Sequence, residues 1–277
     1  MMKKYSELEF SDDFMFYSVL TLNPDLLKEL LERILDMEIA DIRFSEGQKT
    51  MEYCYTGRGI RLDVYARSKD GKVFNVEMQT SREKEIPKRM RYYQGMLDVN
   101  LLERAEDYTE IEDSYIIFIC LNDPFGKNLP VYTFKKICTE DNSIRMEDGT
   151  SKIVVNVSGD KSKASKKLIP LLEYIENKTT NDDFTEKLQN EVTRIKGLEE
   201  RRNLYMLYEL NLKRAKAEGR AEIQAEMDAM QVEMDAMQVE MDAMQVEMDA
   251  MQSEKVKKDA EIAELKAELE KMKAGNK

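Results

Sequence analysis

The chain has 277 residues, a formal charge of −12, no histidine and no tryptophan. The missing histidine excludes Ser-His-Asp hydrolysis, His-ligated zinc catalysis, HNH-type nucleases and histidine kinases, and only three cysteines, widely spaced, argue against a thiolate zinc site. Carboxylates, lysine, tyrosine and hard, oxygen-liganded metals are left for chemistry.

In chain order, the start MMKKYSELEF has basic residues with no apolar run behind them, unlike a secretion signal. A helix is expected over PDLLKELLERILDM (24–37), where apolar residues recur at helical spacing. A strand near 48–55, a hairpin over 61–80 and a helix over about 83–105 follow. YIIFICL (115–121) is a continuous apolar run, typical of a strand buried on both faces and far shorter than the roughly 20 residues of a membrane span. A further strand contains VYTFKKI (131–137). Helix, three strands, helix and strand describe an α/β domain with a mixed sheet over residues 1–160. Cys54, Cys120 and Cys138 are odd in number, two of them sit in apolar-rich segments and read as small packing residues, and a cytoplasmic protein without disulfides is expected.

SGDKSKASKK (158–167) reads as a loop or helix entry, and 182–222 as helix with Gly197 and Gly219 as weak points. Together they make a helical extension, 161–220. From Glu226 the sequence repeats every seven residues, with methionine at 227, 230, 234, 237, 241, 244, 248 and 251. This 3-4 spacing makes Met the a and d residue of four heptads. The same register continues through Lys255 and Lys258 to Ile262, Leu265, Leu269 and Met272, so a coiled coil is expected over 221–277. In a parallel pair the g-position glutamates 226, 233, 240 and 247 face Gln231, Gln238 and Gln245, and Glu261 and Glu268 meet Lys266 and Lys273. An antiparallel pair would set Glu against Glu. A parallel homodimer is expected. The acidity is concentrated here: residues 221–254 carry ten acids and no Lys or Arg, leaving residues 1–220 at only −4. Such a body can still present a basic face to a polyanion.

The hairpin RLDVYARSKDGKVFNVEMQT (61–80) carries the chemistry. Alternation along the second strand sends Asn75, Glu77 and Gln79 to one face, and Phe74, Val76 and Met78 to the other. A two-residue Asp70-Gly71 loop would set Asp63 opposite Met78. A three-residue loop, Lys69-Asp70-Gly71, pairs 68 with 72, sets Asp63 opposite Glu77, and has glycine where a left-handed residue is needed. Two carboxylates so close repel unless a cation lies between them, and a divalent metal fits. The alternative is ordinary surface charge beside Arg61 or Lys72.

SDDFMF near the N-terminus, RLDVYA, NVEMQT, RMRYYQG, YIIFICLNDPF and the later RAKAEGRAE resemble, in order and spacing, the Rpn family of recombination-promoting nucleases and putative transposases, within the PD-(D/E)XK nuclease superfamily. The resemblance spans roughly residues 5–222 and excludes the Met heptads. It implies an α/β, restriction-endonuclease-like core, a mixed sheet flanked by helices, followed here by a helical segment and a coiled coil. It implies catalytic roles for Asp63, Glu77 and Gln79, with Asp63 and Glu77 holding Mg²⁺ or Mn²⁺. Asp13, Arg89 and Tyr92 would support the site, and Lys88, Arg89 and Arg91 would meet DNA phosphates. Gln79 stands where the superfamily carries lysine, so positive charge would have to come from Lys72, Lys88 or Arg89, or activity would be slow or absent. Tyr92-Tyr93 reads as helix packing or as a base-stacking pair. The function expected is metal-dependent DNA hydrolysis in recombination or transposition, by a dimer. The rivals are a catalytically weak nuclease fold acting as a DNA- or protein-binding assembly module, and a scaffold that binds no nucleic acid.

Overall fold

A computed structural model describes residues 3–44, 64–81, 85–101 and 107–274. Two helices open the fold, α1 (Asp13–Leu22) and α2 (Pro24–Leu35). The carbonyl of Asp12 accepts the first helical bonds of α1, from Met15 and Phe16 at 2.9 Å. Phe14, Met15, Phe16, Val19 and Leu20 are all buried, so α1 is apolar nearly all round. It shows no polar stripe, which is why helical periodicity does not reveal it in the sequence. In α2, Pro24 takes a first-turn position whose N–H has no helical partner to lose, and Leu26, Leu27, Leu30, Leu31 and Ile34 form one buried stripe. Asp36, left-handed at φ 50°, ends α2 two residues before the expected boundary.

A six-stranded sheet follows: β1 (Ile42–Arg43), β2 (Val64–Ser68), β3 (Val73–Gln79), β4 (Ser114–Cys120), β5 (Val131–Phe134) and β6 (Thr150–Asn156). Its spatial order is β1-β2-β3-β4-β6-β5. Strands β3, β4 and β6 run parallel, and the other pairings are antiparallel. The mixed sheet expected from the sequence is therefore present. Helix α3 (Ile86–Leu101) makes the crossover from β3 to β4, and residues 83–84 and 102–105 of the expected helix lie outside the described residues. The strand expected near 48–55 lies outside the described residues, as does Cys54. Strands β1 and β6 and helix α1 have no counterpart among the expected elements, whereas α4 (Ile169–Asn177) falls inside the expected helical extension.

The sheet separates two cores. On one face Val64, Ala66, Phe74, Val76, Met78, Ile117, Ile119, Ile153 and Val155 pack with α1, α2, α4 (Ile169–Asn177), α5 (Asp183–Lys196) and the first turns of α6 (Glu199–Ala274). On the other, Val73, Ile116, Phe118, Cys120, Tyr132 and Val154 meet Ile86, Met90, Tyr93 and Leu97 of α3. Strand β4 is thus buried on both sides, as its continuous apolar run predicts. Phe184, Leu188, Val192 and Ile195 of α5, and Tyr205 and Tyr208 of α6, belong to the first core. Helices α4 and α5 and the start of α6 therefore belong to the compact unit that runs from Met1 to Leu212.

Gly197 interrupts the helical stretch between α5 and α6, whereas Gly219 lies inside α6 without breaking it. The rest of α6, to Ala274, lies in the second unit, Lys213–Lys277. Gln224, Gln231 and Gln238 each donate to the aspartate four residues on, at 2.7–2.8 Å, which supports the helix from within. The eight heptad methionines are each 54–64 % exposed in the single chain. The C-terminal heptads therefore lie on one long helix.

Candidate active site

The hairpin turn sets the register of the site. Ser68 N–H donates to the Lys72 carbonyl at 2.8 Å, Gly71 N–H donates to the Ser68 carbonyl at 3.0 Å, and Gly71 sits at φ +88°. This is the three-residue loop, and it pairs Val64 with Val76, Tyr65 with Asn75 and Ala66 with Phe74. Asp63 itself, together with Arg61, lies outside the described residues.

Asn75, Glu77 and Gln79 share the β3 face turned toward α3, and all three are buried, at 6, 9 and 6 % exposure. Three polar side chains in a row inside a sheet are costly unless each is engaged. Arg89, in the first turns of α3, engages two of them. Its Nη1 donates to Gln79 Oε1 at 2.6 Å, and its Nη2 donates to Glu77 Oε1 and, at 3.2 Å, to the Tyr93 hydroxyl. The guanidinium also lies over the Phe118 ring at 5.3 Å and the Tyr93 ring at 5.8 Å. Gln79 Nε2 donates to Ser81 Oγ at 2.9 Å, which turns the amide oxygen toward Arg89. Asn75 Oδ1 is buried and accepts no hydrogen bond among the described residues.

Asp13, the first residue of α1, lies within electrostatic reach of this cluster. Asp13 is itself exposed, so the desolvation by neighbouring protein that pushes its carboxyl above the ordinary value is softened by solvent, and the Asp12 charge adds to the rise. Its own backbone N–H and the Arg89 charge work in the opposite direction. Arg89 thus pairs with the β3 carboxylate, and its charge is also felt at Asp13.

The other expected residues separate. Lys88, Arg91 and Tyr92 are exposed on α3, with Tyr92 at 62 %. Arg89 and Tyr93 instead turn inward. Lys72 pairs with Asp70 at the hairpin turn, at the far end of β3 from Gln79, so it does not supply the charge missing from position 79. Arg82 and Lys84 lie outside the described residues. Tyr93 and Ser81 were not anticipated as partners of the site; the i,i+4 spacing of Arg89 and Tyr93 on one helix was the available signal.

Among the described residues no group of three or more acidic or sulfur-bearing side chains could hold a metal ion. Glu77 and Gln79 do supply the right chemistry, a carboxylate and an amide oxygen of the kind hard divalent cations take. Asp63, the second carboxylate the sequence offers, lies outside the described residues.

A family model described as PD-(D/E)XK nuclease family transposase matches residues 11–192, most of the first unit. The chain belongs to that family. No curated protein and no solved structure matches it in the corresponding searches. Among the described residues no helix is long and apolar enough to cross a membrane.

Proposed function

We propose that this protein is a divalent-metal-dependent DNA endonuclease of the Rpn type, acting in the cytoplasm in recombination or transposition. The observation that carries the reading is the buried Glu77–Gln79 pair on β3, faced by Arg89, in a chain of the nuclease family. The hairpin register supports Asp63 as the partner of Glu77 in holding Mg²⁺ or Mn²⁺. A cation bound there would supply an activated water and a counter-charge for the phosphorane-like transition state. Gln79 would hydrogen-bond and orient the attacking water, and Arg89 would give the positive charge that position 79 lacks. Asp13 and Tyr92 would support the site from its border, and Lys88 and Arg91 would track the phosphate backbone with Arg89.

The methionine seam supports a parallel homodimeric coiled coil, which would let two sites address two strands. A second reading, a nuclease fold retained as a DNA- or protein-binding assembly module, is favoured by one observation: a neutral glutamine stands in the lysine position.

Incubation with supercoiled plasmid and Mg²⁺ separates the two. The expected result is nicking or linearisation by the wild type, abolished by EDTA and reduced at least 100-fold in Asp63→Ala and Glu77→Ala, since each removes a proposed ligand. Equal backgrounds in all lanes, with DNA binding retained, would establish the assembly reading instead.

A further inference from the structure

We propose that Arg89 is a tethered counter-cation: it holds Glu77 and Gln79 while the site is empty and leaves them for a phosphate of bound DNA. Substrate binding and metal binding would then be coupled through this one side chain. The inference rests on the nuclease reading above and adds to it an order of events.

Three observations carry it. First, Arg89 places two of its nitrogens on the side-chain oxygens proposed for ligand and water-binding duty, Glu77 Oε1 and Gln79 Oε1. A guanidinium and a divalent cation on the same carboxylate repel, and burial strengthens that repulsion. Second, the guanidinium rests on Phe118 and Tyr93, and Arg89 remains a quarter exposed at its side chain, 26 %, against 12 % for Glu77. It has a route to solvent that the carboxylate has in smaller measure. Third, its immediate neighbours on α3, Lys88 and Arg91, are exposed cations on the surface a phosphate backbone would follow. A planar guanidinium matches phosphate bidentately, so a DNA phosphate can compete for it.

The same geometry accounts for glutamine at position 79. Its amide nitrogen is held by Ser81 and its oxygen accepts from Arg89. A lysine there would set a second cation against the guanidinium. Gln79 and Arg89 form a matched pair, with the charge carried on the helix rather than on the strand.

The test measures metal affinity directly. Mn²⁺ is titrated by calorimetry into full-length wild type, Arg89→Met and Arg89→Lys, each alone and with a hydrolysis-resistant phosphorothioate duplex. In the wild type the duplex should tighten Mn²⁺ binding about tenfold, within the usual span of site-to-site coupling. Arg89→Met should bind Mn²⁺ without duplex about as tightly as the wild type does with it, and gain little more when duplex is added. Arg89→Lys, which keeps the charge but loses the fork, should fall between.

Mn²⁺ affinity of duplex-free Arg89→Met equal to or weaker than that of the wild type would overturn the proposal, leaving Arg89 as a residue that only positions Glu77. Undiminished coupling in Arg89→Met would also overturn it, because a metal bridging protein and phosphate would then suffice. Thermal melts check that each variant folds; if neither does, the wild type decides alone, and no effect of duplex on its Mn²⁺ affinity sinks the idea. A wild type that binds neither Mn²⁺ nor duplex removes the nuclease reading itself, which is a different result.

Discussion

Asp13 stands at the start of α1 with its carboxyl raised by crowding and by Asp12, against the pull of Arg89. A carboxyl that binds its proton more tightly in the folded chain than at the ordinary value of 3.8 makes its ionised form a cost to stability. That cost is absent below about pH 3.8 and full once the pH has passed the raised folded value. Asp13→Asn should therefore melt at a higher temperature than the wild type at neutral pH, and the difference should vanish as the pH falls through that window. Differential scanning calorimetry at pH 7 and at about pH 3, below the ordinary value, checks this. Phe118, the ring under Arg89, is fully buried, and Phe118→Ala should cost about 3–5 kcal/mol by chemical denaturation. The facing of Asn75, Glu77 and Gln79 was legible because a strand alternates with period two. The hold of Arg89 on two of them was not, because it joins residues 10 and 12 apart across a strand-to-helix turn whose geometry no periodicity records.

Helix α5 shows what the polar residues between elements accomplish. Asp182 caps it, accepting from Thr185 N–H at 3.0 Å, while Thr185 Oγ1 receives the Asp182 N–H at 3.3 Å in a reciprocal box. Arg33 of α2 reaches the same carboxylate at 2.6 Å and lies over Phe184 at 4.4 Å, so one aspartate ties two helices. Burial works to raise this carboxyl, but the bonds from Thr185 and Arg33 outweigh it and hold it below 3.8. Its stabilisation is thus full above the ordinary value and is lost as the pH falls through the depressed one. Asp182→Ala should cost about 1–2 kcal/mol at neutral pH and move acid unfolding, followed by circular dichroism, to higher pH. Among the elements, α2 and β4 were legible because each buries apolar residues in a pattern its geometry dictates. Helix α1 was hidden by being buried nearly all round. Helix α4 follows a basic run that reads as a loop or helix entry, and Leu171, Leu172 and Ile175 seat it in the core, which the charge of that run does not foretell.

For the molecule entire, the heptads predict behaviour that the first unit does not need. Eight methionines at a and d, each more than half exposed in one chain, form a longer apolar stripe than a solitary soluble helix usually carries. A chain ending at residue 220 keeps the whole first unit. It should retain the melting behaviour of that unit and fall from dimer to monomer in light scattering, while an unchanged mass would refute the seam. The sheet leads to the same place by another route. Its border strands among the described residues are β1, two residues long, and β5, four residues long and followed at once by Lys135 and Lys136. Strips that short, one ending in paired ammonium groups, are poor templates for another chain's backbone. In the proposed coiled coil, two copies would meet through side-chain knobs on a helix rather than through the backbone of a sheet border.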